Sequence, residues 1–497
     1  MNRRSSFSTL RWISLALILA AAALVLLQLI TFSRERAVFP KGQRIANVPV
    51  GGLDRNQAAQ RLLQVYSMPV EIHYGDAIIQ IKPSVAGFDM DLEGMLAAAD
   101  LQRAGNNFWT DFWDYLWNRP PKVVDVPLRA STSKERLQNY LETEIAARYD
   151  QPPSPSIPVP ASVNFQPGKP GTTLNIDRAV NLIDDALRSP TSRVVNLTID
   201  TTSAPRPSIQ NLEILLKQII DLSKFDGLTE IYLHDLKTSQ ELHFAYQNGQ
   251  NISVNPDIAF TAASTIKIPI LVSIMRRLSE PIPEDISTLL TRIFVESDNA
   301  ATDQVVMDVI DRVYGPKEVT QDIQALGLQN TFWAGFFYDG APLLMTVQTP
   351  ANRRTDINTN PDIYNQTTPS DIGMLLEDIY QCAQNGGGAL IAVFGDQLNA
   401  TKCQQMITYL ESDQIGVLIQ AGLPDGTKFA HKHGWVQESD GLIHTMGDAG
   451  IVFSPGGDYV LAIYLYQPTQ LVFDPANHMV SQLSQAIYNY FNTSYSR

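Results

Sequence analysis

Ala262-Ala263-Ser264-Thr265-Ile266-Lys267-Ile268-Pro269-Ile270-Leu271-Val272 sets a serine and a lysine three positions apart at the mouth of an apolar helix. If Ser264 opens the helix that runs on to Leu278, Lys267 lies one turn along on the same face. That pairing suits nucleophilic catalysis. A serine hydroxyl needs a base, and a lysine stripped of water with a second cation close by is neutral enough to serve. The helix N-terminus also offers backbone N–H groups to a developing oxyanion. By itself the spacing is common: Ser131-Thr132-Ser133-Lys134 repeats it, and there Thr132-x-x-Glu135 reads as a capping box opening a charged helix. At Ser264 the helix that follows is apolar and buried-looking, which a purely capping serine does not require.

Two further clusters lie downstream. Ser297-Asp298-Asn299 falls between helical runs that end near Val295 and resume at Ala300; all three are also preferred helix caps. Lys432-His433-Gly434 lies on an expected strand late in the chain. Around them, a helix is expected from about 208 to 223 and strands at 228–236, 241–246, 428–434, 447–453 and 459–465. A closing amphipathic helix is expected at 476–491. Strands at both ends with helices between them predict one α+β domain, its antiparallel sheet assembled from both termini beside a helical subdomain.

In this order and context the three clusters resemble the S-x-x-K, S-D-N and K-T/S-G boxes of the class A β-lactamase and penicillin-binding serine hydrolase superfamily. The resemblance covers roughly residues 222–497, including the helix start Gly315-Pro316-Lys317-Glu318-Val319. It implies that Ser264 attacks an amide or lactam carbonyl, Lys267 takes its proton, and Ser297 relays a proton to the leaving nitrogen. Lys432 supplies electrostatics and attracts the substrate carboxylate. Asn299 contacts the substrate amide and Lys267. Gly434 and Trp435 line the substrate side, the oxyanion hole being the backbone N–H groups of Ser264 and Trp435.

There are two departures from the family pattern. His433 stands where the family has Thr or Ser, whose hydroxyl binds the substrate carboxylate; imidazole can also donate there. The histidine pair His431 and His433 shares a strand face, and without a third ligand it is a poor metal case. Class A enzymes also carry a glutamate that activates the deacylating water, and between Glu318 and Glu377 this chain has none. Only Asp322, Asp339, Asp356, Asp362 and Asp371 are available there. Deacylation is therefore expected to be slow, the missing base being worth about 10²–10⁴ in rate. The resemblance leaves three readings: an acyl-enzyme former acting on β-lactams or D-alanyl wall peptides, a β-lactamase with a substitute base, and a non-catalytic cell-wall-binding scaffold.

The rest of the chain sets the context. Its 497 residues exceed one ordinary domain, and a net charge of -14 argues against nucleic acid. Ile13 to Phe32 carry no charge, long enough to span a bilayer as a helix. The run lacks a small-residue cleavage site, so 13–32 is read as a transmembrane anchor. The basic residues flanking it give a modest vote for a cytoplasmic 1–12, and the resemblance, which places the catalytic domain facing the wall, sets that orientation. Residues 40–205 are expected to form a small α+β module, with the hairpin 70–81 turning at Gly75-Asp76 and a linker at Ala204-Pro205-Arg206-Pro207 before the domain 206–497. Met90-Asp91-Leu92 and Leu174-Asn175-Ile176 echo each other as helix starts. VPVGGLDRNQAAQRL and FQPGKPGTTLNIDRAVNLIDDAL resemble the repeated module proposed to bind peptidoglycan beside wall enzymes and VanW-like domains. Glycan binding through 40–205 is what that implies, and a plain spacer is the alternative. The aromatic stretch 107–118 is expected to pack in a core, with a membrane-surface or glycan-stacking role as the alternative. Cys382 and Cys403 are either buried thiols or a disulfide. No nucleotide, metal or organic cofactor is suggested.

Overall fold

The computed structural model describes residues 6–105, 107–119 and 123–493, and their contacts divide into two units. The first runs to Pro153 and from Pro170 to Ser203; the second takes Ser154–Lys169 and everything from Ala204 on.

In the first unit, α1 (Ser6–Glu35) carries the apolar run, and its segment Leu10–Glu35 is long and apolar enough to cross a membrane. α2 (Arg55–Tyr66) begins at Asp54, whose carboxylate accepts from Gln57 N while the Gln57 side chain accepts from Asp54 N. The strands β1 (Val70–Tyr74) and β2 (Ala77–Ile81) form the expected hairpin. α3 (Leu92–Ala104) and α5 (Ile176–Arg188) start on Asp91 and Asn175, each accepting from the backbone N–H three residues on. The echo in sequence is thus the same cap used twice, once in each of two separate cores. Leu62, Tyr66, Met95 and Leu96 lie in one; Val70, Ile72, Val180 and Ile183 lie in the other with β3 (Val194–Asn196), which pairs parallel to β1. At 131–134 the cap is Ser133, accepting from Arg136 N, one residue later than the expected Thr132 box.

The aromatic stretch forms α4 (Phe108–Leu116) and divides by face. Phe108, Phe112 and Tyr115 place their rings 5.3–5.4 Å from that of Phe32 on α1, and Tyr115 Oη donates to Gln28 Oε1 at 3.1 Å. Trp109, Trp113 and Trp117, four residues apart on another face, are 59%, 59% and 71% exposed. Core packing accounts for half of the stretch.

The second unit opens with α6 (Ile209–Ser223), capped by Ser208. Then come β4 (Leu228–Asp235), β5 (Glu241–Gln247), β6 (Gln250–Ile252), α7 (Lys267–Arg277), α8 (Glu284–Val295), α9 (Asn299–Val309), α10 (Pro369–Asn385) and α11 (Ala400–Leu410). The chain ends in β7 (Lys428–Gln437), β8 (Ile443–Phe453), β9 (Tyr459–Tyr466) and α12 (Phe473–Phe491). The six strands form one antiparallel sheet in the order β6-β5-β4-β9-β8-β7, so the last three strands complete a sheet begun by the first three. Both faces are covered. Leu212, Leu216, Leu483 and Ile487 of α6 and α12 pack on Ile231, Leu461 and Ile463 on one side; on the other, Ile270, Leu290, Val305, Leu375 and Met406 meet Ala449, Ile451 and Ala462. The buried positions 476, 479, 480, 483, 484, 486, 487, 490 and 491 of α12 follow the 3.6-residue repeat, so truncating fully buried Leu483 to alanine would cost about 2–5 kcal/mol.

Residues 154–169, expected in the N-terminal module, join this unit instead. The Phe165 ring packs tilted, 6.2 Å from that of Tyr490 of α12, and Asn489 Nδ2 donates to Val163 O at 2.9 Å. Cys382 of α10 and Cys403 of α11 are joined as a disulfide, with Cα atoms 5.9 Å apart.

Candidate active site

Ser264 lies in a short 3₁₀ turn, Ala263–Ile266, that feeds directly into α7. The turn is held from below: Thr265 Oγ1 donates to Ala262 O at 2.7 Å and in turn accepts from Tyr464 Oη of β9 at 2.7 Å. From the side it meets β7. A side chain at Gly434 would place its Cβ 2.8 Å from Ser264 N and 2.9 Å from both Ala262 O and Thr265 N, so only glycine lets the strand approach this closely. Ala263 has φ +46° and Ser297 φ +56°, both left-handed. Two such residues beside one nucleophile cost about 1–3 kcal/mol each, which the packing around them must offset.

Lys267 is fully buried at the centre of the constellation. Its Nζ lies 2.7 Å from Ser297 O, 2.7 Å from Asn299 Oδ1, and 3.2 Å from both Ser264 Oγ and Ser297 Oγ. Ser297 Oγ donates to Ser264 Oγ at 3.0 Å. Burial, reinforced by the Lys432 ammonium, pulls Lys267 down to about 7. A neutral amine has two N–H donors and one lone pair. The two 2.7 Å acceptors take the donors, which leaves the lone pair for the Ser264 hydroxyl. Asp298 does not enter this network: it caps α9 through Ala301 N and pairs with Arg292.

Lys432 is also fully buried, its pKa lowered by the same loss of water, with Nζ 3.2 Å from His433 O and 3.4 Å from Asp413 Oδ2. It shares with Gly434 the face of β7 turned to the Ser264 turn. β7 is the edge strand, so alternate backbone groups around Gly434 and Trp435 lack a strand partner, as an oxyanion donor must. His433 departs from expectation. It is 3% exposed and lies on the other face with His431 and Trp435; its Nδ1 is 2.9 Å from Asp413 Oδ2 and its ring stacks 4.8 Å from Trp435. An imidazole enclosed in this way is not presented as an open contact for a substrate carboxylate.

The aspartates weighed as substitute bases are engaged elsewhere or remote. Asp322 pairs with Arg276 and Arg277, Asp356 with Arg354, and Asp371 accepts from Asn330 N and Thr331 Oγ1. Asp362 accepts from Tyr364 N and Asn365 Nδ2; Asp339 is exposed. Among the described residues no carboxylate hydrogen-bonds to Ser264, Lys267 or Ser297. The group that does stand over Lys267 is the ring of Phe337, 5.4 Å from Nζ, on a loop held by Asp303 accepting from Phe337 N and Tyr338 N. Sequence reasoning missed Phe337, Asp303 and Asp413, because none lies in a recognisable box.

A nucleophilic serine at a helix entrance, a desolvated lysine in contact with it and a second serine bridging the two define a serine hydrolase. A model of the beta-lactamase enzyme family matches residues 211–282 and 283–491, more than half of the chain, and the protein belongs to that family. Among solved structures the chain is similar to PBP-A, at 23% identity over 58% of this chain and 98% of that one, with a TM-score of 0.41. A mutant of PBP-A solved as an acyl-enzyme complex with penicillin G is 22% identical over 58% and 99%, with a TM-score of 0.40. The extended-spectrum beta-lactamase TLA-3 is 16% identical over 57% and 99%, with a TM-score of 0.41. No curated protein matches the chain.

Proposed function

We propose that this protein forms an acyl-enzyme on Ser264 with β-lactams or D-alanyl wall peptides and releases the acyl group slowly. The observation that carries the reading is the Lys267 amine, 3.2 Å from Ser264 Oγ and pulled down to about 7. Ser264 Oγ adds to the carbonyl carbon while its proton passes to Lys267 Nζ, and the oxyanion is met by backbone N–H groups of the turn and of edge strand β7. The C–N bond then breaks, the proton returning from Lys267 through Ser297 Oγ to the leaving nitrogen. Asn299 holds Lys267, and Lys432 lends positive charge. Among the described residues no carboxylate hydrogen-bonds to Ser264, Lys267 or Ser297 to activate water for the ester that remains, and Phe337 covers the lysine. α1 anchors the chain with its catalytic unit outside the cytoplasm, and the exposed tryptophans of α4, fixed to the end of α1 by Phe32, lie at the lipid headgroup level. Wall glycan is the partner proposed for the N-terminal unit.

The test is intact mass spectrometry of the full chain in detergent after mixing with benzylpenicillin, followed over hours, with Ser264→Ala as control. A persistent adduct absent from the control supports the proposal. A transient adduct with accumulating product means an efficient β-lactamase and refutes slow release. No adduct on folded protein favours the scaffold reading.

A further inference from the structure

Behind Lys432, on the opposite face of β7, two imidazoles and a carboxylate converge. His431 and His433 are two residues apart on one strand and so point to the same side. Asp413, on the loop after α11, closes the group from the open edge of the sheet. Each contributes one donor atom, and the three atoms lie within 4.8 Å of one another. This is the third ligand that the histidine pair lacks in sequence.

Three observations mark the group as built for an ion. His431 is 1% exposed and its Nδ1 hydrogen-bonds to Asp448 Oδ1 at 2.9 Å, while its Nε2 is buried with no hydrogen-bond partner among the described residues. A carboxylate on one ring nitrogen, leaving the other free, is the arrangement that orients a metal-ligating histidine. Asp448 is itself fixed, its Oδ2 accepting from Ile419 N at 3.1 Å. Finally, the rings are held by stacking, Phe429 on His431 at 4.0 Å and Trp435 on His433 at 4.8 Å, so the donors are positioned before any ion arrives. His433 Nδ1, 2.9 Å from Asp413 Oδ2, makes no aligned hydrogen bond to it. Opening that gap to roughly 3.3 Å would suit two ligands of a tetrahedral ion at about 2.0–2.2 Å each.

We propose that Asp413, His431 and His433 form a binding site for a divalent transition-metal ion, with zinc the best match to two imidazoles and one carboxylate. The charges fit. Asp413 and Asp448 face the group with two negative charges, against the single ammonium of Lys432 at 3.4 Å from Asp413. Entry is short, because Gln414, Ile415 and Gly416, next to Asp413, are exposed. A second cluster, Glu230, His243 and Asp257, serves as an internal control. There His243 Nε2 is already bonded to Glu230 Oε1 at 2.8 Å, and Asp257 Oδ2 accepts from Thr368 and Ser370, so the imidazole nitrogen that faces the carboxylates is taken.

The experiment is metal analysis of the tag-free full chain in detergent, stripped with chelator, equilibrated with micromolar zinc and dialysed. About one zinc ion per chain is expected, lost in Asp413→Asn and in His431→Gln and retained in His243→Gln. Asp448→Asn, which removes only the orienting carboxylate, should weaken binding about 10–100-fold. Cobalt in place of zinc should give the wild type the strong visible absorption of a tetrahedral site, a readout independent of any variant's folding. Circular dichroism identifies variants that retain the fold. No zinc bound by the wild type, zinc retained by folded Asp413→Asn and His431→Gln, or zinc lost in His243→Gln would each overturn the proposal.

Discussion

If Lys267 is the base, the rate of Ser264 acylation must follow the neutral form of one amine. With the ammonium at about 7, the neutral fraction is about 0.1 at pH 6 and about 0.9 at pH 8. The second-order acylation rate should therefore rise about tenfold across that interval and then flatten. A lysine at its ordinary 10.5 would instead keep gaining about tenfold per pH unit beyond pH 8. The perturbation that isolates the cause is Lys432→Met. It removes the nearby cation that helps hold Lys267 down, so the inflection should move upward and the rate at pH 7 should fall. Quenched intact-mass measurement of the adduct at limiting benzylpenicillin, pH 5.5 to 9.5, gives the profile for both proteins. A wild-type profile flat from 6 to 8 would refute the assignment of Lys267 as base, and an inflection unmoved in Lys432→Met would refute the part given to the Lys432 cation. The same shift has a stability consequence. Between 7 and 10.5 the unfolded chain binds a proton at Lys267 that the folded chain does not, so stability rises with pH across that window. Below it the full cost remains, up to roughly 5 kcal/mol. Lys267→Met should accordingly raise the melting temperature more at pH 6 than at pH 10.

Replacing both Cys382 and Cys403 by alanine opens the link between α10 and α11 and should cost about 3 kcal/mol in denaturant unfolding, with acylation retained. Gly434→Ala forces a methyl onto the backbone of the Ser264 turn. It should destabilise the fold by about 1–3 kcal/mol and depress acylation far more than a surface substitution of equal cost, as paired melting and adduct measurements would show. In vesicles of brominated lipid, tryptophan fluorescence should be quenched, and a Trp109→Ser, Trp113→Ser, Trp117→Ser variant should lose most of the quenched signal; unchanged quenching would remove α4 from the membrane surface.

Much of this molecule is written locally. The caps Asp54, Asn175 and Ser208, the hairpin at Gly75-Asp76, and the short turn-bounded runs that mark β4, β5, β7, β8 and β9 are features of near neighbours, whose chemistry a short window contains. So are the three boxes, because each must sit at a particular helix start or strand. Tertiary structure alone decided what these local pieces meet. The 3.0 Å approach of Ser297 to Ser264 spans 33 residues, and Phe337 reaches Lys267 across 70. Phe165 chooses α12 of the second unit over its own neighbours in sequence, and Phe32 sorts the aromatic face of α4 from its exposed tryptophans. His433 was legible as a departure from the family box, but its burial and the arrival of Asp413 beside it were not. Periodicity and capping report the energy of a segment against its own backbone, whereas these pairings depend on where the chain returns. That return is set by closing one sheet from both ends of a unit of about 310 residues.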